Sequence, residues 1–174
     1  MQRTTRLGAL LLASAVISSP LFAATDGDQG SSSTGTTDIS VTKQSEVKIS
    51  GLNDIALTVQ GDGSATGSTT ACIYRNGTGS YTVTASGSGA ASAFALTDGN
   101  SGVMPYSVTF DDGSGAAALT KNTALTGLTN ANTLSSSCNG GTNATIEVTV
   151  STADFSSAPA GDYTGTLTLV IAPE

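Results

Sequence analysis

Apolar residues in this chain recur at every second position and almost nowhere at every third or fourth. "SYTVTAS" sets Tyr81, Val83 and Ala85 on one side, "ATIEVTVS" sets Ile146, Val148 and Val150, and "YSVTF" sets Tyr106, Val108 and Phe110. A period of two is the signature of a half-buried strand, because successive side chains point to opposite faces of a sheet. Further alternating runs are "DISVTK" with Ile39 and Val41, "EVKIS" with Val47 and Ile49, and "DIALTV" with Ile55, Leu57 and Val59. "ACIYR" carries Cys72 and Tyr74 on one face, "AFALT" reads as a short strand, and Pro105 opens "VMPYSVTFDD" where a strand tolerates proline. The last run, "DYTGTLTLVI", points Tyr163, Leu167, Leu169 and Ile171 one way, with Gly165 in the remaining slot.

Between these runs lie turn signals. "GDGSATGS" from Gly61 and "SGSGAAS" read as loops, and "NGTG" at Asn76 and "DDGSG" at Asp111 read as turns. Asp154 to Gly161 reads as a loop, and Ala116 to Leu128 reads either as two short strands or as one strand and a loop. No stretch has a helical period. About eight to ten short strands, punctuated every 8–12 residues, predict an all-β, immunoglobulin-like sandwich.

The first residues stand apart. Arg3 and Arg6 precede a short apolar run from Leu7 to Ser18, and Ser19, Pro20 and Ala23 supply a small-residue end. This is the layout of a secretory signal peptide over 1–23. The run is too short for a membrane span, which needs about 20 apolar residues. "ATDGDQGSSSTGTT", 24–37, reads as a flexible polar tail, and the single domain is expected over 38–174.

Charge narrows the partners. Without Arg3 and Arg6, four basic residues would face thirteen acidic ones, a net charge of −9. Phosphate binding needs clustered Lys and Arg, so nucleic acid and anionic lipid are poor partners. Cys72 and Cys138 are the two cysteines. An isolated pair in an exported chain reads as a disulfide, closing a loop of about 65 residues and contributing roughly 4 kcal/mol. The other possibility, free thiols or a soft-metal pair, has little support in a chain with no histidine and no suitably spaced carboxylates.

The same lack of histidine removes the commonest catalytic base. No nucleophile-elbow or phosphate-loop motif is present. Asp111 and Asp112 are adjacent at a strand end and point to opposite faces, which places them poorly for the paired carboxylates of a glycosidase. The Asp- and Gly-rich stretches "TDGDQG" and "QGDGSATG" fit turns better than calcium loops. Neither an enzyme nor a cofactor is expected. The tyrosines Tyr74, Tyr81, Tyr106 and Tyr163 all fall on faces expected to look inward.

Taken together, "DISVTKQSEVKISGLNDIAL", "ACIYRNGTGSYTVTASGSG", "MPYSVTFDDGSG", "NATIEVTVS" and "AGDYTGTLTLVIAPE" resemble the spore coat U group of exported β-sandwich proteins, similar in turn to pilins of archaic chaperone–usher fimbriae. Members of that group usually carry a cysteine near the position of "SEVKIS"; this chain has none there. The resemblance implies a sandwich lacking its last strand, whose gap is filled by β-strand addition from a neighbouring subunit or a periplasmic chaperone. It implies a fimbrial or coat subunit, carried through the periplasm to the cell surface, with like subunits, the chaperone and an outer-membrane usher as partners. Carried onto these residues, Ile39 and Val41 would be the donor strand, within Thr36 to about Ser45. Tyr163, Leu167, Leu169 and Ile171 would form the acceptor edge. Ile39 and Val41 fit equally well as the first strand of a complete sandwich, in which case the chain would bind an extracellular glycan or protein without polymerising.

Overall fold

The computed structural model describes residues 24–174. The expected signal peptide, 1–23, lies outside them. The chain divides into two units, with the boundary between Lys43 and Gln44.

In the first unit, Thr25 and Thr36 pair reciprocally, N–H to carbonyl, at 3.0 and 2.9 Å. The tail expected to be unpatterned thus closes a small loop on itself. The run "DISVTK" forms no strand. Two apolar residues in six give too little buried area to hold an extended segment against a sheet.

The second unit, Gln44–Glu174, is an all-β sandwich with one short helix. Its larger sheet has the order β1-β3-β10-β7-β8, from β1 (Val47–Ser50), β3 (Ala65–Arg75), β10 (Ala144–Val150), β7 (Ser107–Asp111) and β8 (Ala117–Ala118). β2 (Thr58–Val59) pairs the start of β3. The smaller sheet has the order β11-β4-β9, from β11 (Leu167–Pro173), β4 (Tyr81–Gly87) and β9 (Ala124–Leu128). A ribbon of β5 (Ala95–Thr97) and β6 (Val103–Pro105) flanks them. All pairs between these strands are antiparallel.

The alternation does what it predicts. Ile146 and Val148 of β10 sit opposite Phe110 and Val108 of β7 and Thr69 and Gly67 of β3, Val150 sits opposite Ala65, and with Ala71 and Ile73 they share the inner side. Tyr81, Val83 and Ala85 of β4 close the core from the other sheet. Thr145, Glu147 and Thr149 face outward from β10. Burying a side chain such as Ile146 is worth about 1.5–3 kcal/mol, so this central layer dominates stability. Cys72 is bonded to Cys138, 66 positions on, with Cα atoms 5.8 Å apart. The bridge ties the long connection before β10 to β3.

Several expectations need correction. "GDGSATGS" is a loop only to Ser64, because Ala65–Ser68 already belong to the eleven-residue β3. "DIALTV" is a strand only at Thr58–Val59. Tyr74 is not in the core: Ala71 and Ile73 occupy the inner face of β3, so Tyr74 shares the opposite face with Cys72. The final strand starts at Leu167, not Tyr163. Residues Thr152–Ser157, of which Asp154 onward is expected as loop, form a helix, α1. Its signal was a serine N-cap ahead of a segment too short to show a period. Ser151 accepts from the Asp154 N–H at 3.1 Å and donates to the Asp154 carboxylate at 2.6 Å. The ambiguous stretch Ala116–Leu128 is two strands in different sheets, with buried Leu119 at the crossing.

Candidate functional site

β11 lies at one edge of the smaller sheet, as β9 does at the other. β11 has one neighbour, β4. Ser88 and Thr97 donate their N–H groups to the carbonyls of Thr166 and Thr164, each at 2.9 Å, and Glu174 N–H donates to Ser80 at 3.0 Å. These bonds set the phase. Even-numbered residues turn their backbone groups towards β4 and β5, and Leu167, Leu169 and Ile171 turn theirs outward. The same three side chains are half-buried and pack on the core, while Thr168 and Val170 are exposed.

Beside this edge is a groove of about 1000 Å³. One wall is the irregular run between β1 and β2, Leu52 to Leu57. The other is Ala158 to Leu167, continuing to Leu169. Met104, Tyr106, Ile146 and Val148 form the floor, and Phe155 of α1 lines one end. Local chemistry explains the first wall. Gly67 lets the chain approach β3 closely, since a Cβ there would stand 2.6 Å from the Ala56 carbonyl. Asn53 N–H donates to Thr69 Oγ1 at 3.0 Å instead of to a strand backbone. The segment therefore lies against β3 without pairing as a regular strand, and faces the β11 side across a gap. The second wall is fixed by the Thr97–Thr164 bonds and by Tyr163, whose hydroxyl donates to the Pro159 carbonyl at 3.0 Å.

The groove is short. β1 comes within 8 Å of β11, Cα to Cα. An inserted strand holds its two neighbours about 9.6 Å apart, so there is no width for one where β1 and β11 meet. The open stretch is the part beyond, between the irregular run and Tyr163–Leu169. Of the expected acceptor residues, Tyr163, Leu167 and Leu169 line the groove, while Ile171 lies past it in β11. The expected donor residues sit in the first unit with their side chains in solvent, Ile39 at 93% exposure and Val41 at 94%. Sequence reading missed Leu52, Ile55 and Leu57 as groove residues. The period-two pattern of Ile55 and Leu57 reads as a paired strand, and Leu52 lies outside any alternating run. The groove offers apolar surface and unpaired backbone groups, with the carboxylates of Asp54 and Asp162 at its lining.

The acidic turns have local explanations. Asp111 accepts from the N–H groups of Gly113 and Gly115 at 2.7 and 3.0 Å. Asp62 accepts from Ser64 N–H at 2.9 Å and from its hydroxyl at 2.7 Å, which hold its carboxyl below the ordinary range. Asp112 is buried and accepts from Tyr81 Oη at 3.3 Å, from Asn130 N–H at 3.2 Å and from Ser114. Burial pushes its carboxyl up, but these hydrogen bonds outweigh burial and hold it below the usual carboxylate value. Burial first, and then the Asp112 charge, push the Tyr81 hydroxyl well up. No cluster of three metal-ligating side chains occurs among the described residues. Nor, among them, is any helix long and apolar enough to cross a membrane.

No family model and no curated protein matches this chain. Solved structures do. A chain from a chaperone–tip adhesin complex of CFA/I fimbriae biogenesis superposes with a TM-score of 0.52 at 18% identity, covering 74% of this chain and 41% of that one. CfaE, the adhesive subunit of the CFA/I fimbria of enterotoxigenic Escherichia coli, gives 0.47 at 15% identity, covering 67% and 38%. This chain therefore spans about two fifths of the length of either structure. At such identity the first likeness shows the fold: an all-β sandwich of the pilin-like kind.

Proposed function

We propose that this chain is a structural subunit of a cell-surface fimbria or coat, assembled by β-strand donation. The observation that carries the reading is the unpaired edge of β11 beside an apolar groove. An extended segment laid there gains ladder hydrogen bonds from Leu167 and Leu169 and buries alternate apolar side chains on the groove floor. Unfilled, such an edge is an aggregation hazard. In transit a periplasmic chaperone fills it, and at an outer-membrane usher a like subunit replaces the chaperone. The donor is Thr36 to about Ser45, with Ile39 and Val41 entering the groove of the next molecule. A groove open over seven residues, about 23 Å, calls for few apolar contacts, which suits a donor with only two. The fold shared with a chain of a chaperone–tip adhesin complex supports this reading.

The test is the purified protein on an SDS gel, unheated beside boiled. Strand-exchanged polymers resist SDS at room temperature and collapse on boiling, so a ladder that disappears with heat is expected. A single monomer band from soluble, folded protein, purified without a chaperone, sinks the proposal.

A further inference from the structure

The arm that carries Ile39 and Val41 is tied down just after Lys43. Asn76 does this with one side chain: its Nδ2 donates to the Gln44 carbonyl and its Oδ1 accepts from the Glu46 N–H, each at 2.7 Å. The Asn76 N–H adds a bond to the Glu46 carbonyl at 3.1 Å. A side-chain amide that serves both a carbonyl and an N–H stands in for one more rung of the β1–β3 ladder. The folded unit begins at Gln44, so the free part of the arm ends at Lys43.

Extended, the arm places Ile39, Val41 and Lys43 on one face. Two apolar residues and a cation in a row fit a groove that is apolar along its length and acidic at one point. The β11 groove has that pattern: no lysine or arginine lines it, and Asp54 and Asp162 lie on opposite walls. The direction of entry decides which of them meets Lys43. Gln44 leads straight into the donor's own folded unit, which has to stay outside the groove. β1 and β11 leave no width for a strand at one end, so the donor's folded unit lies at the other, where the wall carries Asp162 and Tyr163. With Lys43 across from Tyr163, Val41 falls across from Gly165 and Ile39 across from Leu167. Val41 finds an apolar seat there, because Gly165 has no side chain and a Cβ on it would stand 3.0 Å from Leu96, which lines the groove. The opposite direction would set the Lys43 ammonium among Leu167 and Leu169 at the narrow end, where its desolvation is costly.

We propose that, in the strand donation inferred above, Lys43 of one copy and Asp162 of the next form an ion pair at the groove mouth, and that this pair fixes the register and selects the arm of a second copy of this chain. The lysine lays its aliphatic stem along Tyr163 and keeps its ammonium at the rim. The smallest slip that keeps the apolar face inward is two residues. An inward slip is stopped by the Asn76 clamp on Gln44, and an outward slip separates the charges.

Charge reversal tests this on the full exported chain, read as the fraction of protein in the SDS-resistant ladder. Lys43 and Asp162 are both exposed, so the reversed variants should keep the wild-type melting temperature. Lys43→Glu and Asp162→Lys should each reduce the ladder about tenfold, because like charges then meet across the interface. The two combined should restore it to within about twofold, whereas Lys43→Glu with Asp54→Lys should not. Ile39→Asp with Val41→Asp separates the pair from strand donation itself. A ladder lost in that variant but unchanged in either single reversal upholds donation and overturns the ion pair. A double reversal no better than the single ones, or rescue by Asp54→Lys in place of Asp162→Lys, overturns it too. A wild-type chain that forms no ladder removes strand donation and the pair with it.

Discussion

Two residue contacts hold parts of this sandwich that no strand ladder holds, and each makes a measurable prediction. The Cys72–Cys138 bridge fastens the connection before β10, whose other ties are bonds such as Asn132 N–H to the Ile73 carbonyl at 2.8 Å. Replacing both cysteines by serine is expected to lower stability by about 2–5 kcal/mol in urea unfolding. A loss under about 1 kcal/mol would mean that those hydrogen bonds suffice. The second contact is Tyr81–Asp112. Asp112→Ala strands the Tyr81 hydroxyl and the Asn130 N–H, which should cost about 1–3 kcal/mol. The signs of the two pKa shifts set the pH profile. The Asp112 value is lowered by folding, so its contribution is present above the unfolded carboxylate value near 4 and fades as pH falls below it. The Tyr81 value is raised, so its contribution is present below about pH 10 and is lost as pH rises past that point. In Asp112→Ala the acid-side slope of a denaturation midpoint against pH should flatten. In Tyr81→Phe the alkaline slope should flatten.

At the scale of elements, α1 shows how a local motif acts without periodicity. Its Ser151 N-cap starts a six-residue helix whose Phe155 lines the end of the groove. Ser151→Ala is expected to cost about 1 kcal/mol in chemical unfolding. It should also loosen the groove end, which faster amide exchange at Asp154 and Phe155 would register. Most strands were legible from alternation alone: β4, β7, β10 and the second half of β3 carry it in full, and each buries its apolar set against the opposite sheet. "DISVTK" and the first half of "DIALTV" carry the same alternation and form no strand. Alternation tells which face of an extended chain is apolar, but pairing depends on whether a neighbouring edge is within reach. For Ile55 and Leu57 the close approach at Gly67 and the Asn53–Thr69 bond replaced the ladder.

For the whole molecule the proposed strand donation is tested at its two proposed contact surfaces. Ile39→Asp with Val41→Asp should remove SDS-resistant assembly while leaving the melting temperature of the chaperone-bound subunit within a degree or two, since both side chains are in solvent. Polymers that persist in this variant would transfer the donor role to another segment. A companion change on the acceptor side, Leu169→Asp, should block both chaperone capture and assembly, because it places a charge on the groove wall. Loss of assembly with chaperone capture intact would place the contact elsewhere.

What the sequence determined by itself was the fold class, the inward faces of β4, β7 and β10, and the cysteine pair. These are set by side-chain period two and by two cysteines with no competing partner. What only the tertiary structure decided was which edges stay unpaired. The open side of β11 and the irregular wall from Leu52 to Leu57 each depend on distances between segments far apart in the chain. A strand's alternation is the same whether it has one neighbour or two, so the missing neighbour leaves no mark on the sequence.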